Sequence, residues 1–316
     1  MLTLTVTDVQ TVAPGVRQIT LGDNGATLPG YSAGAHLKVD VPDVGLREYS
    51  LVNLDPGART EDGVSAYVLG VRLEEESTGG SRSMHALSPG DRLQCQPPRN
   101  DFALGPADNP LLIAGGIGIT PIAAMVARLA GQGRAYDLHY TGRAPGSLAF
   151  LSALQTLAGE RLHTHYDKTK SALDLARLLD GQSPERPIYV CGPKGMIEAT
   201  KALAQKAGFP AENIHFELFA RASQQSGDVA FEVEIASSGE VHTIPADQSI
   251  IEALEAAGLD LMYDCQRGDC GICQTDVVSG IPDHRDVVLS EDEKAAGEVM
   301  QICVSRAQSP RLVLDI

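Results

Sequence analysis

The chain of 316 residues has a formal net charge of −16 and an apolar fraction of 43%, so it is long and apolar enough for two or three domains with real cores. The negative charge argues against nucleic acid as a partner. No apolar run reaches the roughly 18 residues of a membrane span, and the N-terminus does not resemble a signal peptide, so we expect a cytoplasmic protein with no membrane partner.

The first block of the chain alternates short strand-like runs with glycine and proline turns. Its clearest runs are residues 35–41, 48–52 and 66–71, and a turn signal, Ser88-Pro-Gly-Asp, follows them. Close spacing of short strands is typical of an antiparallel β-barrel or sandwich. We therefore predict a β-barrel domain over residues 1–105.

The second block changes from turns between strands to an alternation of strands and helices. Strands are predicted at 111–114, 136–140 and 188–191, and helices at 122–130 and 194–207. Such alternation predicts a parallel sheet covered by helices. We assign this α/β domain to residues 106–222.

The third block is predicted as a separate module over residues 229–316, after a polar linker at 220–230. Residues 226–316 contain 18 acidic and 5 basic side chains, a net charge of −13, so nearly all of the negative charge lies in this part. A hairpin is predicted at 231–244. Ser249 and Glu252 then form a capping box for a helix that ends at Gly258.

Four cysteines of the third block have the spacing of a plant-type [2Fe–2S] site. Cys265, Cys270 and Cys273 follow one another as Cys-x4-Cys-x2-Cys, and Cys303 comes 29 residues later. Three thiolates from one tight loop and a fourth from a distant strand can surround two irons. A structural zinc site usually needs two Cys-x2-Cys or Cys/His pairs, and only one such pair is here.

Two further motifs suggest cofactors of the first two blocks. Arg47-Glu-Tyr-Ser50 is followed about 30 residues later by Gly79-Gly-Ser-Arg-Ser-Met-His85, a glycine turn with hydroxyls and an arginine that suits a phosphate. Gly115-Gly-Ile-Gly-Ile-Thr-Pro121 lies between a strand and a helix, where a pyrophosphate can bind. We expect Thr120 to cap that helix and Pro121 to occupy its first position.

The order of these motifs, with Cys191-Gly-Pro193 and Phe216-Glu-Leu-Phe219 after them, resembles the phthalate dioxygenase reductase family. The resemblance covers essentially the whole chain. It implies a multidomain fold of flavin-binding antiparallel β-barrel, nucleotide-binding parallel α/β domain and C-terminal β-grasp ferredoxin domain. It also implies an NADH-dependent flavin and iron–sulfur oxidoreductase that contains FMN and passes single electrons to a Rieske-type terminal oxygenase.

The resemblance assigns roles to matching residues. Ser50 would hydrogen-bond near flavin N5, Tyr49 would pack on the flavin, and Thr120 and Cys191 would lie near the nicotinamide. Phe219 would cover the flavin face, although Cys191 and Phe219 also suit plain core packing. The remaining residues assigned to cofactor binding are Arg47, Gly80, Ser81, Arg82, Gly115, Gly116, Gly118, Gly192 and Pro193, and the cluster ligands are Cys265, Cys270, Cys273 and Cys303.

Several alternatives remain open at the level of sequence. The electrons could go to a cytochrome P450 or another oxygenase, or the cluster could be a redox sensor. We predict FMN over FAD and NADH over NADPH, but Arg143, Lys168 and Lys170 could bind a 2′-phosphate. The acidic module could steer the partner through charges such as Asp264 and Asp269, or could simply be well solvated.

Overall fold

The computed structural model describes residues 1–75, 79–167, 169, 171–219, 225 and 227–316. These residues form two compact units, Met1–Glu217 and Leu218–Ile316. In the part of the chain that is described, every helix is too short or too polar to traverse a lipid bilayer. Most of the linker predicted at 220–230 lies outside the described residues.

The N-terminal part of the first unit is a six-stranded antiparallel sheet. Its strands are β1 (Leu2–Ala13), β2 (Val16–Gly22), β3 (His36–Val41), β4 (Gly45–Ser50), β5 (Ala66–Arg72) and β6 (Arg92–Cys95). They lie in the order β4-β3-β6-β1-β2-β5, and a bridge from Leu51 to Leu69 joins the two edges into a barrel. Leu37, Val39 and Val41 of β3 are buried at every second position, as one face of a strand requires.

The second part of this unit is a parallel five-stranded sheet covered by helices. Its strands are β7 (Leu111–Gly115), β8 (Asp137–Gly142), β9 (Leu162–Tyr166), β10 (Ile188–Cys191) and β11 (Ile214–Glu217), in the order β11-β10-β7-β8-β9. The helices are α2 (Ile119–Gly131), α3 (Leu151–Ala158), α4 (Leu175–Leu179) and α5 (Lys194–Lys206), and a short helix of the barrel, α1, spans Gly80–Ala86. Strand β7 is buried throughout because helices cover both sheet faces.

The barrel has a core of its own, and some residues on its outside join the core of the parallel sheet. Phe102, which follows the last barrel strand, packs its ring on Tyr189 of β10 with 5.8 Å between the centroids. The Tyr189 hydroxyl accepts a hydrogen bond of 2.8 Å from the backbone N–H of Gly105. Gly34 approaches the same segment so closely that a Cβ atom would lie 2.0 Å from the carbonyl oxygen of Phe102. The connection between the two layers is therefore fixed by backbone contact.

The second unit has a mixed sheet with a helix packed on it. Its strands are β12 (Phe231–Ile235), β13 (Val241–Ile244), β14 (Gln274–Ser279), β15 (Pro282–Asp283), β16 (Val299–Gln301), β17 (Arg306–Ala307) and β18 (Arg311–Leu314). Five of them form the order β13-β12-β18-β14-β16, and β15 pairs with β17. Helix α6 (Ile250–Ala256) buries Ile250, Ile251 and Leu254 against this sheet, and α7 (Glu291–Ala296) precedes β16.

The capping box predicted for α6 is confirmed. The Ser249 hydroxyl accepts from the Glu252 backbone N–H at 3.1 Å, and the Glu252 carboxylate accepts from the Ser249 backbone N–H at 2.8 Å. The start of α2 was predicted three residues too late, because a 3-10 turn over Gly116–Gly118 leads straight into the helix. The predicted fold class is confirmed, with an antiparallel barrel, a parallel α/β layer and a ferredoxin-like unit.

Candidate functional site

The candidate cluster site is built from two segments of the second unit. Cys265, Cys270 and Cys273 lie on the loop between α6 and β14, whereas Cys303 directly follows β16. Strands β14 and β16 pair antiparallel with Gln274 opposite Gln301, and this register brings the distant cysteine to the loop. Cys270 is exposed and the other three are buried.

Hydrogen bonds between thiols connect the four cysteines, with Cys270 bonded to Cys265 and Cys303 bonded to both Cys265 and Cys273. Hydrogen bonds from Cys270 and then from Cys303 lower the pKa of Cys265, and a hydrogen bond from Cys303 lowers the pKa of Cys273. The backbone N–H of Arg267 also donates to the Cys265 sulfur at 3.3 Å. Cys265 and Cys273 are therefore placed where neighbouring thiols favour the thiolate, the form that binds iron. The same hydrogen bonds raise the pKa of their donors, Cys270 and Cys303.

Glycine shapes the loop at one close approach. Gly268 has φ of +79°, and a Cβ there would lie 2.7 Å from the Val304 side chain and 3.0 Å from the Asp286 Cα. Its carbonyl oxygen accepts a hydrogen bond of 2.9 Å from Val287. Only a residue without a side chain lets the loop lie against this segment and turn back towards the cysteines.

The donor set fits a binuclear cluster. Four cysteine sulfurs are the ligands of plant-type [2Fe–2S] sites. Among the described residues, no three His, Cys, Asp or Glu side chains surround a single point that could hold one metal ion. The four cysteine sulfurs therefore supply the donor set that a [2Fe–2S] cluster would need.

The charges of the cluster loop differ from the exposed steering charges that we expected. The Asp269 side chain is only 6% exposed, and it accepts hydrogen bonds from the Leu218 backbone N–H at 2.9 Å and from Arg267 Nε at 3.4 Å. Burial raises the pKa of Asp269 to about 7, although Arg267 opposes the shift. The expectation that Asp269 steers a partner is therefore wrong, because its carboxylate points into the loop and ties it together.

The candidate flavin site lies where α1 meets β4. Arg47 and Tyr49 are two residues apart on β4 and share one side of the strand. A Cβ at Gly80, the first residue of α1, would lie 3.3 Å from Arg47 Cγ and 3.6 Å from the Tyr49 hydroxyl. Burial raises the pKa of Tyr49 to about 12. Gly80 thus leaves room beside an arginine and a half-buried aromatic ring, which fits a flavin phosphate.

The other predicted phosphate ligands lie on the same helix. Ser81 Oγ accepts a hydrogen bond from the Glu74 backbone N–H at 3.1 Å, and Arg82 Nη2 donates to the Glu75 carbonyl at 3.3 Å. Both side chains therefore face the segment that leaves β5. Ser50 ends β4 and is buried.

The glycine motif of the α/β domain approaches the end of β10 closely. A Cβ at Gly118 would lie 2.2 Å from the carbonyl oxygen of Cys191, and a Cβ at Gly115 would lie 2.7 Å from Pro193 Cδ. Gly192 is equally confined, since its Cβ would lie 3.0 Å from the Gly115 Cα. These glycines serve backbone packing of the two strand ends.

Gly116 is the open glycine of this motif. Its φ is +55°, and the nearest atom to a Cβ there would be Arg72 Nη1 at 4.0 Å. The Tyr140 hydroxyl donates a hydrogen bond of 3.1 Å to the Gly116 carbonyl and thereby stabilises the turn. The open face of Gly116, with a cation beside it, fits the approach of a pyrophosphate.

The helix after this motif begins differently from our prediction. Gly118 is the N-cap of α2 and makes no side-chain cap, while the Thr120 hydroxyl donates to the Ile117 carbonyl at 3.0 Å. Pro121 is the third residue of the helix, where the missing N–H costs nothing. Thr120 is buried, and a Cβ at Gly70 of β5 would lie 2.6 Å from its methyl group.

The strand ends add one residue that the sequence did not suggest. Cys191 is completely buried at the end of β10, and Glu217, buried at the end of β11, is its partner in the parallel register. Glu217 could have been noticed only as the acidic residue inside Phe216-Glu-Leu-Phe219. Phe219 belongs to the second unit and is 39% exposed. Arg143 is exposed after β8, whereas Lys168 and Lys170 lie outside the described residues.

Two segments match known domain families. Residues 112–202 match the oxidoreductase NAD-binding domain, and residues 233–308 match the 2Fe-2S iron-sulfur cluster binding domain. These segments contain the glycine motif and all four clustered cysteines, respectively. The chain therefore transfers electrons between a nicotinamide dinucleotide and a [2Fe–2S] cluster.

Relatives and solved structures match the chain over nearly its whole length. Tetrachlorobenzoquinone reductase of Sphingobium chlorophenolicum is 41% identical over 99% of this chain and 97% of its own. Vanillate O-demethylase oxidoreductase of Pseudomonas sp. (strain HR199 / DSM 7063) is 40% identical over 93% of this chain and 92% of its own. The solved structure of phthalate dioxygenase reductase matches with a TM-score of 0.73 and 34% identity, over 100% of this chain and 98% of its own. It is described as a modular structure for electron transfer from pyridine nucleotides to [2Fe–2S].

A second solved structure places a similar chain inside a larger protein. An intact type IV self-sufficient cytochrome P450 monooxygenase is 35% identical over 99% of this chain, with a TM-score of 0.70, and this chain spans 41% of its length. Identity and coverage at this level identify a family rather than a fold alone. The chain belongs to the phthalate dioxygenase reductase family, and it is an NADH-dependent iron–sulfur oxidoreductase whose cofactors are FMN, a [2Fe–2S] cluster and NADH.

Proposed function

We propose that this chain is the reductase component that feeds single electrons from NADH, through FMN and its [2Fe–2S] cluster, to a Rieske-type oxygenase. The observation that carries the proposal is the convergence of four thiols in a chain that resembles vanillate O-demethylase oxidoreductase over 93% of its length. When bound, FMN takes up a hydride as two electrons and releases them one at a time to the cluster.

The residues around Gly80 would hold the FMN. Arg47, Ser81 and Arg82 would bind its phosphate, because Arg47 lies beside Gly80 at the start of α1 and Ser81 and Arg82 are the next two residues of that helix. Tyr49 would pack against the ring system and Ser50 would hydrogen-bond near flavin N5. A short phosphate-binding helix of this kind suits a monophosphate.

The ends of the parallel strands would hold the nicotinamide dinucleotide. Gly116 offers the open backbone for the pyrophosphate, and Gly115 and Gly118 let the turn approach β10. Thr120 and Cys191 would lie near the nicotinamide, flanked by the Gly192–Pro193 turn. Phe219 would cover the flavin until the nicotinamide enters.

The cluster would be held by Cys265, Cys270, Cys273 and Cys303. The Arg267 backbone N–H would support the first of these sulfurs. We further propose the domain bounds 1–105, 106–222 and 229–316 and a cytoplasmic location, where reducing conditions keep such thiols available for iron.

An anaerobic reduction experiment tests the proposed partner. The purified holoprotein is mixed in a stopped-flow instrument with NADH and an oxidised Rieske-type oxygenase, and the absorbance of the Rieske centre is followed. Catalytic amounts of the reductase should reduce the oxygenase fully. If the reductase reduces cytochrome c with NADH but no Rieske oxygenase encoded beside its gene accepts electrons, the partner assignment is wrong and the electron-transfer function stands.

A haem oxygenase is the second candidate partner. The self-sufficient cytochrome P450 that contains a similar segment supports this reading. The same experiment with a ferric haem oxygenase separates the two, because reduction of the haem under carbon monoxide gives a distinct absorbance band.

A further inference from the structure

A buried amide lies directly against one of the clustered cysteines. Gln301 is the last residue of β16 and is completely buried. The Cys273 thiol donates to its Oε1 at 3.5 Å, and its Nε2 donates to Gln274 Oε1 at 3.1 Å. The Gln301 amide therefore connects the Cys273 sulfur to Gln274, a residue that is exposed to solvent.

This arrangement cannot persist once iron is bound. A cysteine ligates iron as the thiolate, which has no proton to donate. Gln301 Oε1 would then face a negatively charged sulfur that has no hydrogen bond to donate to it. A half-turn about the last side-chain bond exchanges the oxygen and nitrogen at nearly the same positions. Because Gln274 is exposed, its amide can turn as well and donate to the relocated oxygen.

We propose that in the cluster-loaded protein Gln301 donates its side-chain N–H to the Cys273 sulfur and thereby raises the reduction potential of the cluster. This inference rests on the proposed role of Cys273 as a ligand. Reduction adds negative charge to the cluster, and a buried donor aimed at a ligand sulfur stabilises the reduced form more than the oxidised one. Gln301 thus acts through Cys273 as a positioning residue.

The expected size follows from hydrogen bonds to charged groups. Only the difference between the two oxidation states counts, so loss of the donor should lower the equilibrium constant of cluster reduction about three- to tenfold. A tenfold change corresponds to about 59 mV for a one-electron couple. Such a shift is well resolved by a spectroelectrochemical titration.

The test compares two substitutions of the same kind in the full-length holoprotein. Gln301→Met keeps the length of the side chain and removes the donor, whereas Gln248→Met makes the same change at an exposed position before α6. Both variants should retain two irons and two sulfides per chain. The midpoint potential of the cluster should fall in Gln301→Met and stay at the wild-type value in Gln248→Met.

A loaded Gln301→Met cluster with an unchanged or raised potential overturns the proposal. A measurement on the unaltered protein covers the case in which that variant fails to assemble. With ¹⁵N in glutamine side chains, pulsed EPR of the reduced cluster should show a weak coupling to side-chain nitrogen, and its absence also overturns the proposal. Wild-type protein that binds no iron would instead refute the proposed ligand role of Cys273, so the two failures are distinguishable.

Discussion

The six cysteines differ in their surroundings as well as in their spacing. Cys270 is exposed on the cluster loop, whereas Cys95 is completely buried in the barrel core, where burial raises its pKa to about 12. A thiol with a raised pKa and no access to solvent is chemically inert. The cysteines of the loop, by contrast, have one another as neighbours.

Replacing any one cluster cysteine should therefore abolish the cluster. We expect Cys265→Ala, Cys270→Ala, Cys273→Ala and Cys303→Ala each to lose the EPR signal of the dithionite-reduced [2Fe–2S] centre, because each removes one of four thiolates. Cys95→Ala should keep the signal and the iron content. Full iron content with an unaltered signal in any one of the four would remove that residue from the ligand set.

At the scale of single elements, the turn after β7 depends on a glycine that is not strained. A Cβ at Gly118 would lie 2.2 Å from a backbone oxygen of Cys191, and backbone yields less readily than a side chain. Gly118→Ala should cost about 1–3 kcal/mol of unfolding free energy and raise the KM for NADH. Urea unfolding and steady-state kinetics measure both.

Gly146→Ala is the matched control for this change. Nothing lies within 4 Å of a Cβ at Gly146, and its φ is not positive. Its effect on stability should remain within about 0.5 kcal/mol. Equal effects of the two substitutions would show that the contact with β10 is not what Gly118 provides.

Strands β8 and β9 carry a group of three histidines that predicts a pH dependence of stability. His139 Nδ1 lies 3.0 Å from His165 Nε2, and the His139 ring stacks on His163 at 4.6 Å. Burial, followed by the charges of His163 and His165, lowers the pKa of His139 from 6.5 to about 4. Below pH 6.5 His139 is protonated in the unfolded chain, but in the folded chain it stays neutral down to about pH 4. Stability therefore falls as the pH falls through this window.

Between pH 7 and pH 5 this effect should cost the wild type about 1 kcal/mol, a value reduced for the partial exposure of the ring. His139→Gln keeps a polar side chain and should lose correspondingly less stability over the same interval. Urea unfolding followed by circular dichroism at the two pH values measures the difference. Parallel losses in the two proteins would mean that His139 is not the group responsible.

At the scale of the whole molecule, the acidic charge is concentrated in residues 226–316, with a net charge of −13. Electron transfer needs brief encounters, which charge can steer and salt can screen. We expect reduction of the partner oxygenase to slow steeply as salt rises above about 0.1 M, while reduction of a small neutral quinone by the flavin barely changes. Stopped-flow rates at several salt concentrations measure both.

The charge to neutralise in this experiment is an exposed one. Asp260, just before the cluster loop, is exposed, whereas Asp269 is held inside the loop. Asp260→Asn should lower the association rate with the oxygenase more than Glu240→Gln, which changes an exposed residue on the turn between β12 and β13. If the rate of oxygenase reduction did not change with salt, docking would have to depend on exposed apolar side chains. Met262 and Ile272 are such side chains, with exposed fractions of 79% and 42%.

The sequence by itself determined the fold class and the cofactors of this protein. The motifs that predicted the cofactors are local. Cys265, Cys270 and Cys273 lie within nine residues, and the run from Gly115 to Pro121 covers seven. Periodicity likewise predicted the strands and the helix capped by Ser249 because hydrogen bonding and burial there repeat over a few residues. These predictions needed no knowledge of distant contacts.

Only the tertiary structure decided which way the side chains of the site face. The cluster loop turns Asp269 inward, where it is buried. The hydrogen bond from Cys273 to Gln301 and the pairing of Glu217 with Cys191 each connect residues that are far apart in the sequence. Burial and cross-strand register arise from packing of the whole unit, and no local pattern encodes them. For the same physical reason the start of α2 was misplaced, since the turn of Gly118 against β10 fixes where that helix begins.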